Sequence, residues 1–216
     1  MFRFDGPVMG LLTKLTHIIY AHILAFLCCV PVITAGAGFT ALEYVLLKIS
    51  KDEETNITSD FFHSFKENFK DGTLMWLLYL VVGSFVMFDI YVLLHEDMGI
   101  NKLLLVLTYI LGIALVLNMT WGFVLLSRYK NSAMQTVKYS FSVCIVHIGP
   151  TLCMLALVGI PLFLALFSFE ALPYAVVIGS ILSGWARPIL YGKVFEKIEK
   201  ANEEKSEEET VLEKEI

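Results

Sequence analysis

Long apolar runs with almost no charge constrain this chain more than any other feature. Several are long enough to cross a bilayer. A helix crossing the hydrocarbon core needs about 20 apolar residues, because every backbone N–H and C=O must be satisfied within the segment. The chain is 57% hydrophobic and its mean hydropathy is +0.71, values foreign to a soluble domain. The expected fold class is all-α, a polytopic transmembrane helical bundle.

Five spans are predicted, at residues 16–33, 73–94, 102–126, 141–167 and 173–191. Each is near or above the spanning length of about 18 residues. The fourth contains Pro150 and Pro161 and is expected to bend or break. The first contains Pro31, after which the apolar pattern resumes over residues 35–49 with Glu43 inside it. That piece is short for a span. It is expected to continue the first helix or to lie against the membrane surface; the rival is the second arm of a hairpin. Residues 1–195 then form the membrane domain and residues 196–216 an acidic tail, which holds most of the acid excess behind the net charge of −5.

Lysine and arginine in short loops set orientation. Lys48, Lys51, Lys66 and Lys70 follow the first span, Arg128, Lys130 and Lys138 the third, and Lys193, Lys197 and Lys200 the fifth. The other two connections are poor in positive charge. The basic loops and the C-terminus are expected in the cytoplasm and, with five spans, the N-terminus outside. Arg3 and Lys14 oppose that last point, and a hairpin at residues 35–49 would place the N-terminus inside. Ala35-Gly36-Ala37 resembles a small-residue cleavage site, but the first apolar run is read as an uncleaved helix.

The longest polar loop is patterned as an amphipathic helix over residues 59–71. Ser59 is expected to cap it, Gly72 to end it. Phe61, Phe62, Phe65 and Phe69 fall on one side, with Lys66, Glu67 and Lys70 elsewhere. Aromatics on one face and lysines on the other suit a helix in the headgroup region, or a docking helix for a partner.

Ionisable or polar side chains inside a bilayer are costly and point to function. The candidate intramembrane polar site is His22, Asp89, Asn118 and His147. Asp89 lies about sixteen residues into the second span. Glu43 and Arg187 sit nearer the inner boundary. His17 and His22 are separated by about 140° around a helix and share no face. Cys144 and His147 share one, but make only half a zinc site. No metal or cofactor is expected, and no catalytic residue: G-x-S-x-G, G-x-x-x-x-G-K-[ST] and H-E-x-x-H are all absent. Cys28, Cys29, Cys144 and Cys153 all lie in apolar runs and read as packing residues. Without a basic stripe, no nucleic-acid partner is expected.

Residues 30–48 read Val30-Pro31-Val32-Ile33-Thr34-Ala35-Gly36-Ala37-Gly38-Phe39-Thr40-Ala41-Leu42-Glu43-Tyr44-Val45-Leu46-Leu47-Lys48. This string resembles the Pro-x-x-Thr-x-Gly…Ala-Leu-x-Tyr block of the YesL-like family of bacterial integral membrane proteins. Asp60-Phe61-Phe62-His63-Ser64-Phe65-Lys66-Glu67-Asn68-Phe69-Lys70 resembles that family's phenylalanine-rich loop. Arg128-Tyr129-Lys130 also fits; His22 departs, standing where relatives usually have Asn. The family's molecular function is unknown, and its genes commonly neighbour sugar importers and glycan-degrading enzymes. By association, the resemblance implies a part in carbohydrate uptake at the bacterial inner membrane.

Two functions are expected from these readings. One is a non-catalytic accessory protein of a binding-protein-dependent sugar importer. It would contact permease or ATPase subunits through Phe61, Phe62, Phe65, Phe69, Glu43 and Tyr44. The other is a stand-alone channel or transporter for a small solute, built on Asp89, Asn118 and the histidines.

Overall fold

A computed structural model describes residues 7–95, 101–167 and 172–215, and these are helical nearly throughout. The helices are α1 (Pro7–Cys29), α2 (Ala35–Ser50), α3 (Ile57–Glu67), α4 (Phe69–His95), α5 (Asn101–Arg128), α6 (Ala133–Val146), α7 (Ile148–Phe167) and α8 (Leu172–Glu215). Among the described residues four helical segments are long and apolar enough to cross a membrane: Met9–Cys29, Val32–Ser50, Phe69–His95 and Lys102–Arg128. The pair Ala133–Val146 and Ile148–Pro161, bent by 103°, makes a fifth if it is one broken span.

Residues 35–49 fold back on α1 as the second arm of a hairpin. The reversal follows from Pro31, whose missing N–H cannot continue α1. A single 3₁₀ turn, Val32–Thr34, bridges the gap. There the Thr34 hydroxyl donates to the Cys28 carbonyl at 2.5 Å and to the Pro31 carbonyl at 2.9 Å, satisfying an acceptor left open at the helix end. Small residues let the arms approach: Ala21 and Ala25 share a buried cluster with Ala41, Val45 and Leu46. At the open end Lys14 pairs with Asp52 at 2.6 Å.

α2 is the most buried helix, packing against α1, α3, α4, α5 and α8. Gly36 rests on Gly72, Phe39 on Trp76 and Phe123, and Tyr44 borders a groove with residues 126–132.

The three basic segments gather at one end of the molecule. Lys130 reaches Glu67 at 3.2 Å, Arg128 reaches Glu199 at 3.1 Å, and the Asp71 carboxylate accepts the Ala133 amide at 3.0 Å. A capping box between Ser132 and Gln135 starts α6.

The break between α6 and α7 falls at His147, just before Gly149 and Pro150. Pro150 sits in the first turn of α7, where a missing amide costs nothing. The His147 carbonyl accepts from the Thr151 hydroxyl at 2.7 Å, which in turn accepts from the Trp121 indole at 2.8 Å. Pro161, by contrast, stays inside α7. α8 runs unbroken from Leu172 to Glu215, so residues 196–215 continue the same helix.

Candidate functional site

α2 carries its one acid, Glu43, into the middle of the bundle, where it is 5% exposed. Arg187 of α8 meets it, Nη2 lying 2.8 Å from Oε1. Arg187 is twelve residues from Glu199 at the basic end, about 18 Å of helix. Tyr191, one turn after Arg187 and on the same face, is fully buried and donates its hydroxyl to the Glu43 carbonyl at 3.2 Å. His22 of α1 bonds the Ile18 carbonyl through Nδ1 at 2.8 Å and lies within electrostatic range of both charges. Gly184 makes this approach possible: a Cβ there would come within 2.8 Å of His22 Cε1 and 2.6 Å of Ile18 Cγ2.

The pair is incompletely satisfied. Glu43 Oε2 and Arg187 Nε are buried without a hydrogen-bond partner among the described residues. Both residues line a cavity of about 300 Å³ whose other walls are Phe39, Met119, Phe123, Met154, Leu155, Val158, Val116 and Thr120. A buried ion pair is weak evidence for stability, since desolvation opposes the Coulombic gain. In a membrane it is first a candidate for function.

This placement corrects one expectation. Glu43 is not a surface contact, because its carboxylate points into the bundle and is held by Arg187. Charge alone in a short apolar piece suggested a boundary; opposite charge on a distant helix explains its burial instead.

The four residues expected to form one polar site do not share one set of partners. Asn118 is 1% exposed, accepts from the Tyr79 hydroxyl at 2.6 Å and donates to the Val137 carbonyl at 2.8 Å, tying α4, α5 and α6 together. Both ends of its amide are bonded to protein groups. His147 sits in the α6–α7 break, His22 beside the Glu43 pair, and Asp89 on an exposed face of α4 with Met87, Phe88 and Tyr91. Replacing Tyr79 by Phe leaves Asn118 Oδ1 unpaired. This should lower stability by about 1 kcal/mol, read as a lower melting temperature in detergent with unchanged expression.

The aromatic loop is helical, with two corrections. Asn56 caps α3 in place of Ser59, its side chain accepting the Ser59 amide at 3.4 Å. Gly72 does not end the helix; it lies in the first turn of α4, where α2 presses on it. α3 is held to α2 by Lys48–Asp60 at 3.1 Å and to α1 by Tyr20 with Thr58 at 2.9 Å. Phe61 is wholly buried against Ile18 and Leu46 and is core rather than surface. Phe65 is partly buried against the same cluster. Phe62 and Phe69 are 40% and 42% exposed, and Phe65 touches both rings. Tyr44 is half-buried at the rim of a polar groove of about 530 Å³ with Ser64, Asn68 and Asp71.

A sequence family described as "Protein of unknown function, DUF624" matches residues 17–90. The matched stretch holds α2, α3, Glu43 and the glycine crossing, but not Arg187 or Asn118. No curated protein and no solved structure gave a significant match.

Proposed function

We propose that this chain is a non-catalytic accessory component of a sugar import system in a bacterial inner membrane. The aromatic face of α3 docks on a permease or ATPase subunit at the cytoplasmic side. One observation carries this reading. α3 is locked in place by a buried Phe61 and the Lys48–Asp60 pair, yet leaves Phe62 uncovered beside Lys66, and Phe69 and Lys70 are uncovered just past it at the start of α4. A rigid helix that exposes large aromatic rings among charges has the composition of a binding hot spot. The gathering of Lys and Arg at that end supports a cytoplasmic setting for it and for the C-terminus, by the positive-inside rule. The importer partner rests on the resemblance of residues 22–77 to the YesL-like family.

The test removes the exposed rings and spares the buried one. Phe62→Ala with Phe69→Ala should leave the stability within about 1 kcal/mol of wild type while slowing growth on the imported sugar. Normal growth with the doubly substituted protein as sole copy would contradict the proposal. A stand-alone solute pathway is less supported, since the Asn118 amide is bonded to protein at both its oxygen and its nitrogen and Asp89 is exposed on α4.

A further inference from the structure

We infer that the polar groove between the α3–α4 junction and the start of α6 is a binding site for a neutral polyhydroxylated solute, a free sugar. The inference does not rest on the docking role of α3, since Phe62 and Phe69 are not among the walls of the groove.

One wall is a single helical stripe. Ser64, Glu67, Asn68 and Asp71 fall at i, i+3, i+4 and i+7, positions that share a face. The change from α3 to α4 does not interrupt it: the Asn68 amide still donates to the Ser64 carbonyl at 3.0 Å, and the Gly72 amide to the Asn68 carbonyl at 2.8 Å. The facing wall is the chain from Arg128 to Ser132, and Tyr44 of α2 adds to the lining. Two contacts pin these walls together. Lys130 Nζ lies 3.2 Å from Glu67 Oε1, and the Ala133 amide donates to Asp71 Oδ1 at 3.0 Å. The space between them is therefore preformed. Its volume of about 530 Å³ is within the range of small-molecule sites.

The groups left open in this space select the ligand. Asp71 Oδ2 and Asn68 Oδ1 are acceptors, while the Asn131 amide and the Tyr44 hydroxyl can each both give and take a bond. Among the described residues none of these has a hydrogen-bond partner, and none is cut off from solvent. Donors and acceptors mixed around one space suit adjacent hydroxyls, each of which gives one bond and takes another. Charge points the same way. Glu67 and Asp71 on one wall face Arg128 and Lys130 on the other, so neither sign is in excess. Glu67 is already held by Lys130, and Arg128 by Glu199 at 3.1 Å. A phosphate would meet the two carboxylates and an amine the two cations, and like charges brought together are costly. Leu126, Tyr44 and Tyr129 also line the groove, and their carbon atoms offer contact to the C–H face of a sugar ring. The groove opens beside Lys130, whose side chain is 86% exposed, so a solute enters from water.

The experiment uses the whole protein in phosphatidylcholine nanodiscs, free of sugar detergents, and reads saturation transfer from protein to ligand by NMR. The probes are the methyl glycosides of glucose, galactose, mannose, N-acetylglucosamine, rhamnose and xylose, with maltose. Transfer to at least one is expected, and inorganic phosphate at equal concentration should not displace it. Tyr44→Phe and Asn131→Ala each remove one open group without touching a contact that joins the walls. Each should weaken the affinity about fivefold, the factor for one neutral hydrogen bond, with the melting temperature unchanged. Thr13→Ala, which takes a hydroxyl from a separate groove beside Lys14 and Asp52, should change nothing. Absence of transfer to every sugar would overturn the inference, as would transfer that survives Tyr44→Phe combined with Asn131→Ala. Displacement by phosphate would overturn it too, and would make the groove an anion site.

Discussion

Arg187→Ala is expected to destabilise the protein by about 3–5 kcal/mol, because it leaves the Glu43 carboxylate buried without its countercharge. Glu43 is 5% exposed, and the described residues offer it no second cation. The expected readout is a large fall in melting temperature in detergent and loss of the monodisperse peak on size exclusion. Replacing both partners, Glu43→Leu with Arg187→Met, should recover most of that loss, since apolar residues of similar volume commonly replace a buried pair at little cost. The same double change should abolish whatever the pair does in the membrane. Stability thus separates from function: the single change damages both, the double change only the second. A single substitution whose stability stays within about 0.5 kcal/mol of wild type, the range of ordinary surface changes, would mean that the pair is open to water.

The second large effect is expected at the crossing of α2 and α4. A Cβ at Gly36 would run into the Gly72 carbonyl oxygen and come within 2.6 Å of Trp76 Cβ. Backbone cannot swing aside as the end of a side chain can, so Gly36→Ala must push the helices apart. That movement also strains the indole of Trp76 from the Val32 carbonyl, now 2.7 Å away, and the Phe39–Trp76 edge contact. The cost should be about 3 kcal/mol, at the upper end of overpacking. Gly159→Ala in α7 is the control: nothing lies within 4 Å of that Cβ. There the helix should gain about 0.5–1 kcal/mol from the better propensity of alanine. Parallel thermal melts of the two variants should move in opposite directions. Equal melts would mean that α2 and α4 do not meet through bare backbone.

The helical class was plain in the sequence because an apolar run of spanning length has few other fates in a membrane. Direction after Pro31 was not. A proline permits either a kink or a reversal, and what favours the reversal here is the burial of Ala21 and Ala25 of α1 together with Ala41, Val45 and Leu46 of α2, a contact between helices. Gly72 illustrates the same limit. Taken with its neighbours it reads as a helix stop; its purpose is to admit Gly36, thirty-six positions earlier. The Glu43–Arg187 pair joins positions 144 residues apart, and each alone resembles a charge at a membrane boundary. The visible signal was that both sat in otherwise apolar stretches with opposite sign. Asn118 was legible as an intramembrane polar residue, but its donor Tyr79 was not, since no local spacing relates them. The phenylalanine loop was legible as amphipathic; burial then divided it, taking Phe61 into the core and leaving Phe62 and Phe69 outside.

The docking claim is tested most directly by recovering the tagged protein from its own host in mild detergent, beside the Phe62→Ala, Phe69→Ala form, and identifying what accompanies each. The account predicts that the wild type brings sugar-importer permease or ATPase subunits in stoichiometric amount and that the substituted form, equally stable, comes without them. Recovery of the wild-type protein alone would contradict it.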